Sequence, residues 1–168
     1  VDPVAQRRQL AIECGIEQTV GGTPAEVQRA IADLTHGELV DITVDAVGDS
    51  RVVMQALHST ATFGQLVILG SPRVAVEGNL TELLSDVHLR FITLRGALEW
   101  LLPMYPTVGK HESQFSKQMM IFDWIERGLL RIEPLISHRL PPEQIKTAYE
   151  GLLRQPQQYT GVLLDWRQ

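Results

Sequence analysis

The sequence has 168 residues, of which 44% are hydrophobic and 21% are charged, and its formal net charge is -5. This length and composition predict a globular chain that forms one domain or parts of two. The acidic balance and the lack of a basic run argue against nucleic acid or an anionic membrane as the main partner.

The ends and the cysteine content bear on the compartment. No apolar run approaches the roughly 20 residues that span a bilayer, and the start at Val1 has neither the basic nor the apolar region of a signal peptide. The single cysteine, Cys14, excludes an internal disulfide and a thiolate-cluster metal site. We therefore expect a cytoplasmic protein. Because the chain starts without methionine, we also expect it to be a fragment.

The first elements in chain order are two helices. Asp2 predicts the N-cap of a helix that ends at Gly15. Thr23 predicts the next N-cap, and Glu26 three residues later completes a capping box. The second helix is expected to end at Gly37, since glycine favours the backbone conformation that follows a helix.

The middle of the chain predicts parallel β-strands joined by helices. The pattern predicts strands over 39–47, 65–69 and 91–96, with helices over 50–62 and from Asn79 or Thr81 to 89. Alternation of this kind is typical of βαβ units and a parallel sheet. The rest of the chain predicts a helix that ends at 128, an extended segment over 130–136, a helix opened by prolines 141 and 142, and a final strand over 159–166.

Four sequence runs occur in a specific order. Residues 41–48 place an acid, an apolar run and a second acid before Ala-Val-Gly, and residues 63–70 end in Gln-Leu-Val-Ile-Leu-Gly. Residues 128–139 contain Glu-Pro-Leu-Ile-Ser-His, and the pair 148–150 and 159–164 forms the closing helix and strand. Together these runs resemble the medium-chain dehydrogenases, the zinc alcohol dehydrogenase-like family, over essentially the whole chain.

The resemblance implies an α/β fold: a partial Rossmann-type parallel sheet without its first strand and glycine-rich turn, followed by a C-terminal α+β return into the catalytic domain. Residues 1–98 would belong to the dinucleotide-binding domain, and residues 99–168 would complete the GroES-like catalytic domain. The sequence has no GxGxxG run, so the turn that holds the cofactor pyrophosphate lies outside it.

The function implied by the resemblance is that of the C-terminal part of an NAD-dependent alcohol or polyol dehydrogenase. Such an enzyme moves a hydride between nicotinamide and the carbon of a small alcohol or carbonyl substrate. Zinc would be held by residues of the preceding half, so we predict no catalytic and no metal-binding residue in this chain, and we expect it to be inactive alone.

Three alternatives stay open. The first is a zinc-free NADPH-dependent quinone or enoyl reductase of the same fold. The second is a non-catalytic or methyltransferase-like α/β domain that binds another adenosine ligand, such as S-adenosylmethionine. The third is a truncated gene product without activity.

Seven residues are candidates for cofactor contact. The resemblance places Asp2 where Rossmann folds carry the acid that binds the adenosine ribose, and such an acid favours NAD because it repels a 2′-phosphate. Ligands of open α/β sheets bind outside the carboxyl ends of the strands. The residues at the ends of two predicted strands are therefore candidates as well. The alternative for each residue is an ordinary structural role, as a cap, a helix-surface residue or a turn. The seven candidates are Asp2, Arg7, Ala46, Val47, Gly48, Leu69 and Gly70.

The strand that begins at Phe91 and ends at Gly96 bears on assembly. The resembled family often pairs this strand with its symmetry mate across a two-fold axis. Here Arg95 is the only charge in the strand and proline is lacking, so the edge has little protection against pairing. We therefore expect a homodimer or tetramer. Cover from residues 71–90, or from the helix after 113, is the alternative.

Overall fold

The computed structural model describes residues 1–167. These residues form six α-helices, five β-strands and three short 3₁₀-helices. The helices are α1 (Ala5–Glu13), α2 (Pro24–Leu34), α3 (Ser50–Ser59), α4 (Leu80–Leu89), α5 (Gln114–Glu126) and α6 (Ile145–Arg154). The strands are β1 (Val40–Asp45), β2 (Thr60–Ile68), β3 (Thr93–Gly96), β4 (Ile136–Leu140) and β5 (Gly161–Leu164).

The described residues form two compact units. One unit is Gly22–Gln114, and the other combines Val1–Gly21 with the described residues from Phe115 onward. These limits differ from the predicted boundary between residues 98 and 99. That boundary concerns how the chain would be shared between two domains of a longer protein, and it stays a prediction.

The unit Gly22–Gln114 contains a parallel sheet in the order β1-β2-β3. Helix α3 connects β1 to β2 and helix α4 connects β2 to β3, as expected for βαβ units. Leu66 of β2 pairs with Thr43 on one side and with Leu94 on the other. All three strands therefore end at the same edge of the sheet, and the predicted α/β fold with a Rossmann-type parallel sheet is confirmed.

The core of this unit lies between the sheet and its connecting helices. Leu66 is fully buried, and it forms a buried cluster with Leu57 of α3 and Ile92, which precedes β3. Burial of one leucine side chain stabilises the fold by roughly 1.5–3 kcal/mol. The cluster packs β2 against α3 and α4. This packing holds the carboxyl ends of the strands in fixed positions.

The structure corrects two predicted boundaries in the first half of the chain. The N-cap of α1 is Val4, not Asp2. The Asp2 carboxylate instead accepts a hydrogen bond from the Val4 N–H at 2.8 Å, which makes a turn before the helix begins. The helix predicted to reach residue 62 ends at Ser59, because the buried Thr60 leaves the helix and its hydroxyl bonds to that of Thr43 on β1.

Two further predictions fail for backbone reasons. Phe91 has a φ of 53°, and the N–H groups of Phe91 and Ile92 still donate to carbonyls at the end of α4, so β3 begins only at Thr93. The segment predicted to be extended over 130–136 contains a 3₁₀-helix at Glu133–Leu135, and the strand follows at Ile136–Leu140. Pro134 favours the 3₁₀ turn, because its ring fixes φ and its nitrogen lacks a hydrogen.

The second unit contains α1, α5, α6 and a two-stranded parallel sheet of β4 and β5. Ser137 on β4 connects the two strands: its hydroxyl donates to the Gly161 carbonyl at 3.0 Å and accepts from the Thr160 N–H at 3.0 Å. Within residues 1–167, none of the helices is both long enough and apolar enough to cross a bilayer.

Candidate functional site

The loops that follow β1 and β2 lie against each other at the carboxyl edge of the sheet. Gly48 has a φ of 81°, and a Cβ built on it would lie 2.3 Å from the Ser71 carbonyl oxygen. A Cβ on Gly70 would lie 2.5 Å from the nitrogen of Gly48 and 2.8 Å from that of Val47. Only glycine permits this approach, so the two predicted groups of cofactor residues in this unit form one surface.

Hydrogen bonds fix these loops at their junction. The Gly48 carbonyl accepts from the Arg73 N–H at 2.9 Å, and the Val74 carbonyl accepts from the Ser50 N–H at 3.4 Å. Asp45, the last residue of β1, bonds to both loops and is 2% exposed. Sequence reasoning had not assigned Asp45 a role. An acid at the carboxyl end of a predicted strand is the signal that could have found it.

A cavity of about 470 Å³ lies beside this junction, within the same unit. Its walls come from the ends of β2 and β3 and from the loops that follow them. The lining is mostly apolar and the cavity is open to solvent, which suits one face of a flat ring held between backbone and aliphatic groups. Its lining includes Leu69, Gly70, Gly96 and Ala97.

The N-terminus of α3, next to this surface, carries its own counter-charge. The Asp49 carboxylate caps the helix by accepting from the Arg51 N–H at 2.9 Å, and the Arg51 guanidinium donates to both of its oxygens. The hydrogen bonds from Arg51 lower the pKa of Asp49, and the carboxylate raises the pKa of Arg51. The positive end of this helix is therefore already satisfied by a carboxylate, and it does not offer the phosphate cradle that many nucleotide sites use.

The other unit holds Asp2 in a defined position. The Asp2 N–H donates to the Val20 carbonyl at 3.0 Å, and the Asp2 carbonyl accepts from Nη1 of Arg8 at 2.7 Å. The guanidinium of Arg8 occupies the space that a side chain at Gly21 would need, since a Cβ there would lie 2.2 Å from Nη1. Backbone and side chain of Asp2 are thus both fixed before any ligand binds.

Arg7 is paired with the same carboxylate. Its Nη1 lies 3.8 Å from Oδ2 of Asp2, and the two side chains are 49% and 31% exposed. An ion pair this exposed contributes little to stability. Its partners can therefore be rearranged at small cost, and Oδ2 is the oxygen of Asp2 that makes the contact with Arg7.

The structure thus divides the seven predicted residues into two groups. Asp2 and Arg7 lie together in the unit that contains the N-terminus. The other five lie together at the carboxyl edge of the sheet: Ala46, Val47, Gly48, Leu69 and Gly70. Within residues 1–167, the structure contains no group of three or more His, Cys, Asp or Glu side chains that could hold a metal ion.

A family model described as zinc-binding dehydrogenase matches residues 1–108. The chain belongs to the zinc-binding dehydrogenase family. It corresponds to the C-terminal half of such proteins, as the sequence resemblance predicted.

Two curated relatives match nearly the whole chain. It is similar to the L-threonine 3-dehydrogenase of Bacillus licheniformis, with 23% identity over 164 residues that cover 98% of the chain and 43% of the relative. The sorbitol dehydrogenase of Gallus gallus is 26% identical over 157 residues, which cover 91% of the chain and 39% of the relative. The chain thus spans about two fifths of the length of the curated relatives it matches.

A solved structure shows the same fold. A short chain alcohol dehydrogenase from E. coli CFT073, complexed with the cofactor NADH, superposes with a TM-score of 0.73 at 16% sequence identity. The match covers 98% of this chain and 43% of that protein. At this identity the likeness establishes the fold of the chain, which is an α/β fold.

Proposed function

We propose that the chain is the C-terminal part of an NAD-dependent dehydrogenase of small alcohols or polyols, and that it contributes cofactor contacts but not the catalytic centre. The observation that carries the proposal is the pair of prepared groups described above: a fixed carboxylate at Asp2, and one backbone surface formed by the two strand-end loops. Both occur in a chain of the zinc-binding dehydrogenase family.

The adenosine side of the cofactor is assigned to Asp2 and Arg7. The Oδ1 atom of Asp2 accepts from the Val4 N–H, while among the residues that the structure describes Oδ2 has only the distant Arg7 contact. A carboxylate oxygen is a good acceptor for the two hydroxyls of an unmodified ribose and a poor neighbour for a 2′-phosphate. This arrangement favours NAD over NADP.

The strand-end surface is assigned to both sides of the dinucleotide. Ala46, Val47 and Gly48 would contact the adenosine side, and Leu69 and Gly70, beside the apolar cavity, would contact the nicotinamide side. NAD supplies the hydride chemistry when bound. The contribution of these residues is to bind the cofactor and to orient one face of its ring.

The exposed edge of β1 supports the proposal that the chain is part of a longer protein. Strand β1 is an outer strand of the described sheet, and Ile42 and Val44, which project from the same face of it, are 63% and 53% exposed. Free strand edges are normally paired, and exposed apolar faces are normally covered. We assign this edge to the first Rossmann strand of a preceding half, which would also bring the pyrophosphate turn, the zinc ligands and the substrate pocket. We also propose a cytoplasmic protein that assembles as a homodimer or tetramer.

The test is the cofactor preference of the full-length protein. In the variant Asp2→Ser, the hydroxyl can still accept from the Val4 N–H, so the turn is kept while the charge is removed. We expect the ratio of kcat/KM for NAD to that for NADP to fall by about tenfold or more, which corresponds to roughly 1.4 kcal/mol.

Glu17→Ser is the matched control, because Glu17 is an exposed acid of the same segment and its replacement changes the net charge equally. The control is expected to keep the wild-type ratio. A wild-type enzyme that uses NADP as well as NAD contradicts the assignment of Asp2 and favours the zinc-free NADPH reductase alternative.

A further inference from the structure

Asp45 is a buried carboxylate with two backbone donors. It closes β1, is 2% exposed, and is the one charged side chain that is buried among the described residues. Its Oδ1 accepts from the Val47 N–H at 3.1 Å, and its Oδ2 accepts from the Gly48 N–H at 3.3 Å. Burial of a carboxylate is costly unless both oxygens have partners, and these two donors supply them.

The main chain of the same residue holds the neighbouring loop. The Asp45 carbonyl accepts from the Leu69 N–H at 2.9 Å and from the Gly70 N–H at 2.7 Å. Four of the five strand-end cofactor candidates therefore donate their backbone N–H to one residue. A side chain that organises the first loop also places the second, because the Gly70 backbone packs directly on Val47 and Gly48.

We infer that Asp45 is the positioning residue of the cofactor surface: its carboxylate fixes the Val47–Gly48 backbone in the conformation that contacts the dinucleotide. This inference rests on the function proposed above and adds to it a residue that does not touch the cofactor. The isosteric amide cannot replace the carboxylate, since its NH2 group would face a backbone N–H where an acceptor is required.

The geometric consequence can be measured by amide hydrogen exchange on the ¹⁵N-labelled 168-residue chain. In Asp45→Asn, one of the two carboxylate hydrogen bonds is lost, and hydrogen bonds to charged groups are among the stronger ones. We expect exchange at Val47 or Gly48 to accelerate by roughly tenfold or more, while amides of the β2 core such as Leu66 keep their wild-type rates. Asp41→Asn, the same substitution at an exposed position of the same strand, is the control and should change neither.

The functional consequence is read from the same samples by titration with millimolar NAD. The wild-type chain and Asp41→Asn are expected to show shifts of the amide resonances of Val47, Gly48 and Gly70. In Asp45→Asn these shifts should be lost, or should need at least about fivefold more NAD, whereas shifts at Asp2 persist. Should the asparagine variant fail to fold, Asp45→Ser replaces it. The serine hydroxyl can still accept from Val47, so only the Gly48 contact is removed.

The outcomes separate the two proposals. Accelerated exchange with unchanged NAD shifts would show that Asp45 only shapes a turn, and would overturn the inference while leaving the proposed function intact. Unchanged exchange at both amides overturns the inference as well. A wild-type chain with no NAD shifts at any of these amides overturns the proposed cofactor contacts, and the positioning role with them.

Discussion

The imidazole ring of His138 stacks on the phenol ring of Tyr159, with ring centroids 3.8 Å apart and an angle of 7° between the planes. His138 lies on β4, and Tyr159 precedes β5. Gly151 of α6 also lies against the phenol ring, where an added Cβ would be 2.4 Å from a ring carbon. The tyrosine thus contacts both a histidine ring and a helix that approaches closely because it carries a glycine there.

Gly151→Ala is expected to destabilise the chain, although alanine favours a helix. Overpacking costs about 1–3 kcal/mol, and the gain in helix propensity offsets about 1 kcal/mol of it. We therefore expect a net loss of about 1 kcal/mol in urea unfolding, together with a change in the ring-current shifts of the His138 protons. Thr147→Ala, at an exposed position of the same helix, should produce neither effect. A stabilised Gly151→Ala variant with unchanged His138 shifts would contradict the stacking arrangement.

The capping box at the start of α2 provides a prediction on stability. The Thr23 hydroxyl accepts from the Glu26 N–H at 3.4 Å, and the Thr23 N–H donates to Oε2 of Glu26 at 2.7 Å. Thr23→Ala removes the cap and should lower the free energy of unfolding by about 1 kcal/mol. Gln28→Ala, at an exposed position within the same helix, is the control for alanine substitution and should leave the unfolding midpoint unchanged or slightly raised.

The same capping box predicts that the stability of the folded chain depends on pH. The hydrogen bond from the Thr23 backbone, followed by that from its hydroxyl, lowers the pKa of Glu26 below its ordinary value of 4.5. A carboxyl with a lowered pKa stabilises the folded state above pH 4.5, and this stabilisation is lost as the pH falls through the folded-state value. Glu26→Gln should therefore lose less stability than the wild type between neutral and acidic pH. Parallel pH profiles of the two proteins would show that Glu26 contributes nothing through ionisation.

The purified 168-residue chain is expected to show no dehydrogenase activity. Residues 1–167 contain no group of side chains that could hold a metal ion, and the sequence has no GxGxxG turn for the cofactor pyrophosphate. The assay follows NAD reduction at its ultraviolet absorbance with small alcohols, sorbitol and threonine as substrates. A turnover rate above that of a heat-inactivated sample, retained through a second purification step, would refute the prediction.

Strand β3 provides the prediction on assembly. It is an outer strand of the described sheet and is exposed along its length, with Leu94 42% exposed. Alternate residues of a parallel strand bond to the same neighbour, and the Ala97 N–H bonds to β2, so the N–H of Leu94 faces the free edge. Leu94→Pro removes this donor, so the full-length protein should dimerise more weakly by light scattering. Leu94→Val keeps the donor and should dimerise as the wild type does, and circular dichroism checks that both variants are folded. A full-length protein that is monomeric at micromolar concentration rules out edge pairing through β3.

Local rules were sufficient where one side chain and its near neighbours decide the structure. The capping box at Thr23 and Glu26 and the cap at Asn79 occur as the sequence predicts, because their hydrogen bonds join residues two or three positions apart. The alternation of strands and helices likewise predicted the parallel sheet, and the resemblance of four sequence runs predicted the family. The five strand-end candidates were predicted from their position at the carboxyl ends of two strands, and the structure brings them together.

The tertiary structure decided what depends on contacts between distant segments. Thr60 leaves α3 for β2 because its hydroxyl meets Thr43, which is seventeen residues away, and a propensity rule that considers only neighbours extends the helix instead. Asp2 makes a turn with Val4, while Val20 and Arg8 hold its main chain. The role of Asp45 is the clearest case: its partners at Leu69 and Gly70 lie more than twenty residues along the chain, and only the pairing of β1 with β2 brings their N–H groups to its carbonyl.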